Sequence, residues 1–155
     1  MPARALTANE TAQKGRINGG GKMGHFLCTG RDGVIRAFRY VYEEELNGTH
    51  SFMAYSVPPP VDGTAFEATF TDIDADTVRQ TMIVHHGHLS YREKGIPDSL
   101  LPIAAAKLGK MVVSSPSVAP GGGVFRTVDA TAMWNRLVAR GIASYDQATD
   151  IYTLA

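Results

Sequence analysis

A single cysteine, Cys28, leaves no partner for an intrachain disulfide, so nothing supports an oxidising compartment. Cys28 sits in the apolar stretch HFLC and reads as a buried, inert thiol rather than a nucleophile. Neither sign of charge is in surplus. The 15 basic and 15 acidic side chains sum to zero, which removes the general electrostatic case for nucleic acid or an anionic membrane. No apolar run approaches the roughly 20 residues that cross a bilayer. The opening stretch MPARALTANETAQKGRING also lacks the apolar segment of a secretory leader. The expectation is a cytoplasmic protein with no membrane partner and none among nucleic acids.

Metal and nucleotide motifs are missing as well. A zinc site at His85, His86 and His88 in HHGH needs three or four converging ligands, and Cys28 and the carboxylates give no matching spacing, so no metal is expected. Asp72, Asp74 and Asp76 alternate in DIDAD, but the glycine and distant glutamate of a calcium loop are absent, and a solvated turn is the reading. GGGKM at 19–23 fails as a phosphate loop, because Met23 stands where a hydroxyl residue is needed and no strand precedes it.

What is present fits one domain with a sizeable core: 44% of the residues are hydrophobic. Residues 1–23 are polar and glycine-rich at their end, which predicts a flexible N-terminal arm before a single domain over 24–155. Between 24 and 90 the pattern is that of strands. Asp32-Gly33 and Asn47-Gly48 predict two-residue hairpins. In AFEATFTD, Phe66, Ala68 and Phe70 share one face while Glu67, Thr69 and Thr71 share the other. TVRQTMIVHHGHL reads as a further strand, completing an antiparallel meander.

After residue 90 the period changes. Leu101, Ala104, Ala105 and Leu108 stand at i, i+3, i+4 and i+7, an amphipathic helix closed by Gly109. Pro97 suits its first turn, and Pro102 implies a late or kinked start. MVVSSP is a short buried strand. Thr127 reads as the N-cap of a second helix with Asp129 in its first turn and an apolar stripe through Ala130, Met133, Trp134, Leu137 and Val138. IASYDQATDIYTL is a closing hairpin. The predicted class is α+β (mixed α/β), an antiparallel meander followed by β-α-β-α-β.

The stretch YREKGIPDSLL carries the functional reading. A basic, glycine-centred turn before a helix leaves backbone N–H groups and half a unit of dipole charge for an anion. Arg92 and Lys94 add charge and Gly95 leaves room. HLSYREKGIPDSLL, followed by KLGKMVVSSP and ATAMWNRLVARGIASYDQATDIYTL, resembles the Gcn5-related N-acetyltransferase superfamily over roughly residues 64–155. That resemblance implies an acyl-CoA N-acyltransferase-like fold. It also implies acetyl-CoA as co-substrate and an amine-bearing small molecule or protein as acceptor. The pyrophosphate would be held by the stretch Gly87, His88, Arg92, Glu93, Lys94, Gly95, Ile96 and Pro97. Direct attack by the amine needs a base, for which His85, His86 and, more weakly, Glu67 are the candidates. The departing thiolate needs an acid, for which Tyr145 or Tyr152 could serve. In a regular strand His86 and His88 would share one face and His85 the other. Pro97 lacks an N–H, and Trp134 stands where many members carry a tyrosine acid. Residues 24–63 read as strands where the family has helices. These three features favour an alternative: a non-catalytic binding or assembly protein of that fold, docking through its arm, with a homo-oligomer as one outcome. A winged-helix DNA module is the third reading, opposed by the acidic DQATD and the sparse basic charge on the last helix.

Overall fold

The computed structural model describes residues 22–118 and 125–155. The sequence expectation of an α+β, acyltransferase-like β-α-β-α-β arrangement is corrected: the chain is 41% strand and 22% helix, one curled eight-stranded sheet with two short helices. Strands β1 (Lys22–Thr29), β2 (Ile35–Glu45), β3 (Thr49–Ser56), β4 (Phe66–Asp72) and β5 (Thr77–Val84) form an antiparallel meander. Helix α1 (Ile96–Leu108) then leads to β6 (Met111–Val113), and α2 (Val128–Ala139) to the hairpin β7 (Ala143–Asp146) and β8 (Ile151–Leu154). The sheet order is β1-β2-β3-β4-β5-β6-β8-β7. The helical segments fall where their periodicity places them, but they are too short to change the class. The expected arm lies outside the described residues, except that Lys22 and Met23 open β1.

Alternation decides which face is buried. Phe26 and Cys28 of β1, Phe38 and Tyr40 of β2, Phe52 and Ala54 of β3, and Phe66, Ala68 and Phe70 of β4 point to one side. There they meet Ile96, Leu100, Leu101 and Ala104 of α1 in one core. Trp134 and Leu137 of α2 join the same cluster, so both helices cover the same face of the sheet. Val138, expected in the apolar stripe, faces outward.

Three local expectations change. The β1–β2 connection is the five-residue loop 30–34, because Gly30 N–H bonds Val34 O and Asp32 Oδ1 accepts from Val34 N–H. The β2–β3 turn has three residues, Leu46–Gly48, with Asn47 and Gly48 both at positive φ. Helix α1 starts at Ile96 and runs through Pro102 without a break in helical backbone.

The free edge of β1 is not left open along its whole length. Ser99 of α1 donates to Leu27 O at 3.0 Å, and Arg31 N–H bonds Glu93 O at 2.8 Å. The start of α1 and the segment before it therefore shield the C-terminal half of the edge strand.

Candidate functional site

β5 and β6 run parallel, yet they pair only through Thr77↔Met111, Val78↔Val112 and Arg79↔Val113. Past Arg79 the two diverge. β5 continues to Val84 beside β4, with a bulge opposite Thr69/Phe70, while the chain after β6 turns away to α2. Divergence of parallel strands at their C-terminal ends leaves a crevice bordered by an unpaired strand edge. A cleft of 590 Å³ opens there, walled by Gln80–Ile83 of β5, the segment 91–95, and the first turns of α1 and α2. Ser115 and Phe125 line it as well.

Its charges are unevenly satisfied. Arg126 is buried at 7% exposure and bound to Asp150 at 2.7 Å, with its guanidinium over the Tyr152 ring. The hydrogen bond from the Ser117 hydroxyl, and after it that from Arg126, hold the Asp150 carboxyl well below the usual range. Arg31 pairs with Glu93 at 3.3 Å, and Arg136 lies 3.7 Å from Asp98. Arg92 and Lys94 have no carboxylate partner among the described residues, although Lys94 Nζ reaches Arg92 O. The two helix starts also differ. Thr127 Oγ1 accepts from Ala130 N–H at α2, whereas Gly95 supplies no side-chain cap at α1.

The glycine at 95 has a different reason from the one the sequence implied. A Cβ there would stand 2.2 Å from Thr29 O, and the residue has φ +82°. Close approach to β1, rather than room for a ligand, demands glycine. Gly87 is the opposite case: it lines the cleft, and a Cβ on it meets nothing within 4 Å.

The histidine tract is not a strand. β5 ends at Val84, and His85 turns the chain with φ 65°. Each imidazole then finds its own acceptor: His85 Nδ1 lies 3.0 Å from Ala65 O, His86 Nε2 3.1 Å from Asp129 Oδ2, and His88 Nε2 3.0 Å from Asp62 Oδ2. Only His86 of the three lines the cleft. Glu67 sits on the outer face of β4, accepting from Ser51 Oγ at 2.7 Å, and Tyr145 donates to Asp150 Oδ1 at 2.8 Å on the far hairpin. Neither lines the cleft. The Tyr145 hydroxyl is pushed up by that bond to Asp150. Tyr152 donates to Asn135, and Trp134 is wholly buried with its indole N–H 3.4 Å from Gln80 Oε1. Of the predicted anion-holding stretch, Gly87, Arg92, Glu93, Lys94, Gly95 and Pro97 line the cleft. His88 is turned to Asp62 and Ile96 is sealed in the core.

Sequence reasoning missed Gln80, Met82, Arg126 and Asp129 as cleft residues. Asp129 alone carried a signal, as an acidic residue in a first helical turn, and that reads equally well as a dipole partner. No group of three or more His, Cys, Asp or Glu residues suited to a metal ion occurs among the described residues. No helix among them is long and apolar enough to cross a membrane. Comparison of the chain with protein-family models, with curated proteins and with solved structures gave no significant match, so its residues and geometry carry the functional reading alone.

Proposed function

We propose that the cleft binds an acyl-coenzyme A, acetyl-CoA first among them, and that the chain is an N-acyltransferase passing the acyl group to an amine. The observation that carries the reading is the divergence of β5 from β6. It gives a long, amide-rich ligand a strand edge to bond along, and it leads to the turn where Arg92 and Lys94 have no carboxylate partner among the described residues. A diphosphate at that end would meet two cations and the uncapped start of α1. The cytoplasm, where acyl-coenzyme A is plentiful, is the matching setting.

His86 is the base in this reading. With Nε2–H donating to the Asp129 carboxylate, Nδ1 keeps its lone pair and the ring is oriented by its partner. The neutral amine attacks the thioester carbonyl carbon, and a tetrahedral intermediate forms. Its collapse breaks the C–S bond and leaves the amide. The amine's proton passes to His86, and the coenzyme departs as thiolate, which His86 then protonates.

A second reading, binding without turnover, is favoured by a specific observation. The hydroxyls of Tyr145 and Tyr152 are committed to Asp150 and Asn135, and that of Tyr91, whose ring borders the cleft, to Thr64 O. Calorimetry with acetyl-CoA tests the first step. Wild type should bind in the micromolar range. Gly87→Trp should abolish binding by filling the cleft, and Arg92→Glu with Lys94→Glu should weaken it about tenfold or more, or about 1.4 kcal/mol. A wild-type protein that takes up no acetyl-CoA refutes the proposal. Thiol release with a panel of amines separates the two readings: His86→Ala should slow turnover by about 10²–10⁴-fold while leaving coenzyme binding intact.

A further inference from the structure

Resting on the acyl-coenzyme A reading, we infer that Arg136 of α2 holds a second phosphate group of the ligand, a phosphomonoester beyond the diphosphate. In an acyl-coenzyme A that group is the 3′-phosphate of the ribose. One cation is left over when the charges around the cleft are matched. Arg31 is answered by Glu93 at 3.3 Å, and Arg126 by Asp150 at 2.7 Å. His86 and Asp129 are paired with each other. Arg92 and Lys94 stand at the turn where the diphosphate would sit. Of the cations lining the cleft, that leaves Arg136.

Its contact with Asp98 does not use it up. Arg140 holds Asp98 Oδ2 at 2.7 Å, whereas Arg136 stands 3.7 Å from Oδ1, beyond hydrogen-bond reach. That oxygen is buried and has no hydrogen-bond partner. Two guanidinium groups therefore share one carboxylate, and the one outside the cleft holds it more closely. Arg136 is 44% exposed along the cleft wall, with its forked donors to offer. A phosphate accepts two such donors in parallel. A phosphomonoester carries about −1.5 to −2 charge at pH 7, more than the carboxylate that Arg140 already engages. Asp98 lies in the first turn of α1, so Arg136 faces the diphosphate end of the cleft from the opposite helix. Along α2 it is two turns, about 10 Å, from Asp129, and hence away from the thioester end at His86.

Calorimetry at fixed ionic strength with coenzyme A and with 3′-dephospho-coenzyme A tests this, with circular dichroism to establish that each variant is folded. Wild type should bind coenzyme A about tenfold or more tightly than the dephospho form, the yield of a charge-assisted hydrogen bond. Arg136→Met keeps most of the apolar stem. It should weaken coenzyme A about tenfold and leave the dephospho form within about twofold. Arg136→Lys should keep part of the preference, as a point charge without the fork. Arg92→Met should weaken both ligands by a similar factor, because both carry the diphosphate. A wild type that binds the two ligands equally overturns the inference and leaves the acyl-coenzyme A reading standing. A wild type that binds neither refutes that reading and the inference with it. A preference that survives Arg136→Met overturns the assignment, and so does a variant that loses both ligands alike.

Discussion

Replacing Gly95 by alanine separates two explanations of the turn before α1. If glycine is there so that an anion can approach, alanine should weaken binding and leave stability nearly unchanged. The packing says otherwise. The added Cβ would stand 2.2 Å from the Thr29 carbonyl oxygen and 3.0 Å from its carbon, both backbone atoms of a paired strand. Left-handed backbone costs an L-residue about 1–2 kcal/mol, and forcing an atom into a filled site costs about 1–3 kcal/mol more. Gly95→Ala should therefore destabilise by roughly 2–5 kcal/mol. Gly109 is the internal control: it also has positive φ, +63°, but nothing lies within 4 Å of its Cβ position. Gly109→Ala should cost only the backbone part, about 1–2 kcal/mol. Urea unfolding followed by the fluorescence of Trp134, the only tryptophan and fully buried, measures both. Equal costs for the two variants would refute the steric account of Gly95.

Three further outcomes follow from the contacts. Trp134→Phe removes the donor to Gln80 and shrinks a wholly buried ring, so it should cost roughly 1–3 kcal/mol in urea unfolding followed, for this variant and wild type alike, by circular dichroism; an unchanged midpoint would contradict that packing. Asp62 is held at about 2 by its bonds to His88 and Thr64, and Asp72 is lowered by Lys110 and His50. A carboxylate held below its unfolded value stabilises while ionised and loses that contribution as pH falls through the folded value. Stability should accordingly decline from about pH 5 toward pH 2, and Asp72→Asn should flatten the decline; an identical acid limb in the variant would count against it. Burial pushes the Cys28 thiol up to about 11, so a disulfide reagent at pH 8 should label only unfolded chains. Stoichiometric labelling of native protein within minutes would show the thiol to be accessible.

The strands were legible because their burial alternates. Phe66, Ala68 and Phe70 predicted one buried face of β4, and all three are at or below 1% exposure. Both helices were legible from their spacing, and Thr127 caps α2 as its residue type implies. The class was not, because two helices count the same in a list of elements whether they are short or long, while here an eight-stranded sheet outweighs them. HHGHLSY misled because it continues a strand's alternation, and only the left-handed backbone at His85 ends the strand. The cleft itself depends on where two parallel strands stop pairing, a relation between residues 79 and 113 that no local pattern encodes. Gly95 shows the same limit in reverse: its residue type was informative, but the atom it makes room for belongs to a strand far earlier in the chain.

The shielding of β1 by the start of α1 has a consequence during synthesis. Leu27 and Ser99 are separated by 72 positions, and Arg31 reaches Glu93 across a similar span. At about 5–20 residues per second, the ribosome needs roughly 4–14 s to deliver the cover after the strand has emerged. Throughout that interval the first hairpin carries an exposed row of backbone donors and acceptors, the feature through which nascent chains find one another. The segment that borders the cleft in the finished protein is thus also what closes its earliest edge. Slow codons between these positions would lengthen the exposure and fast ones would shorten it.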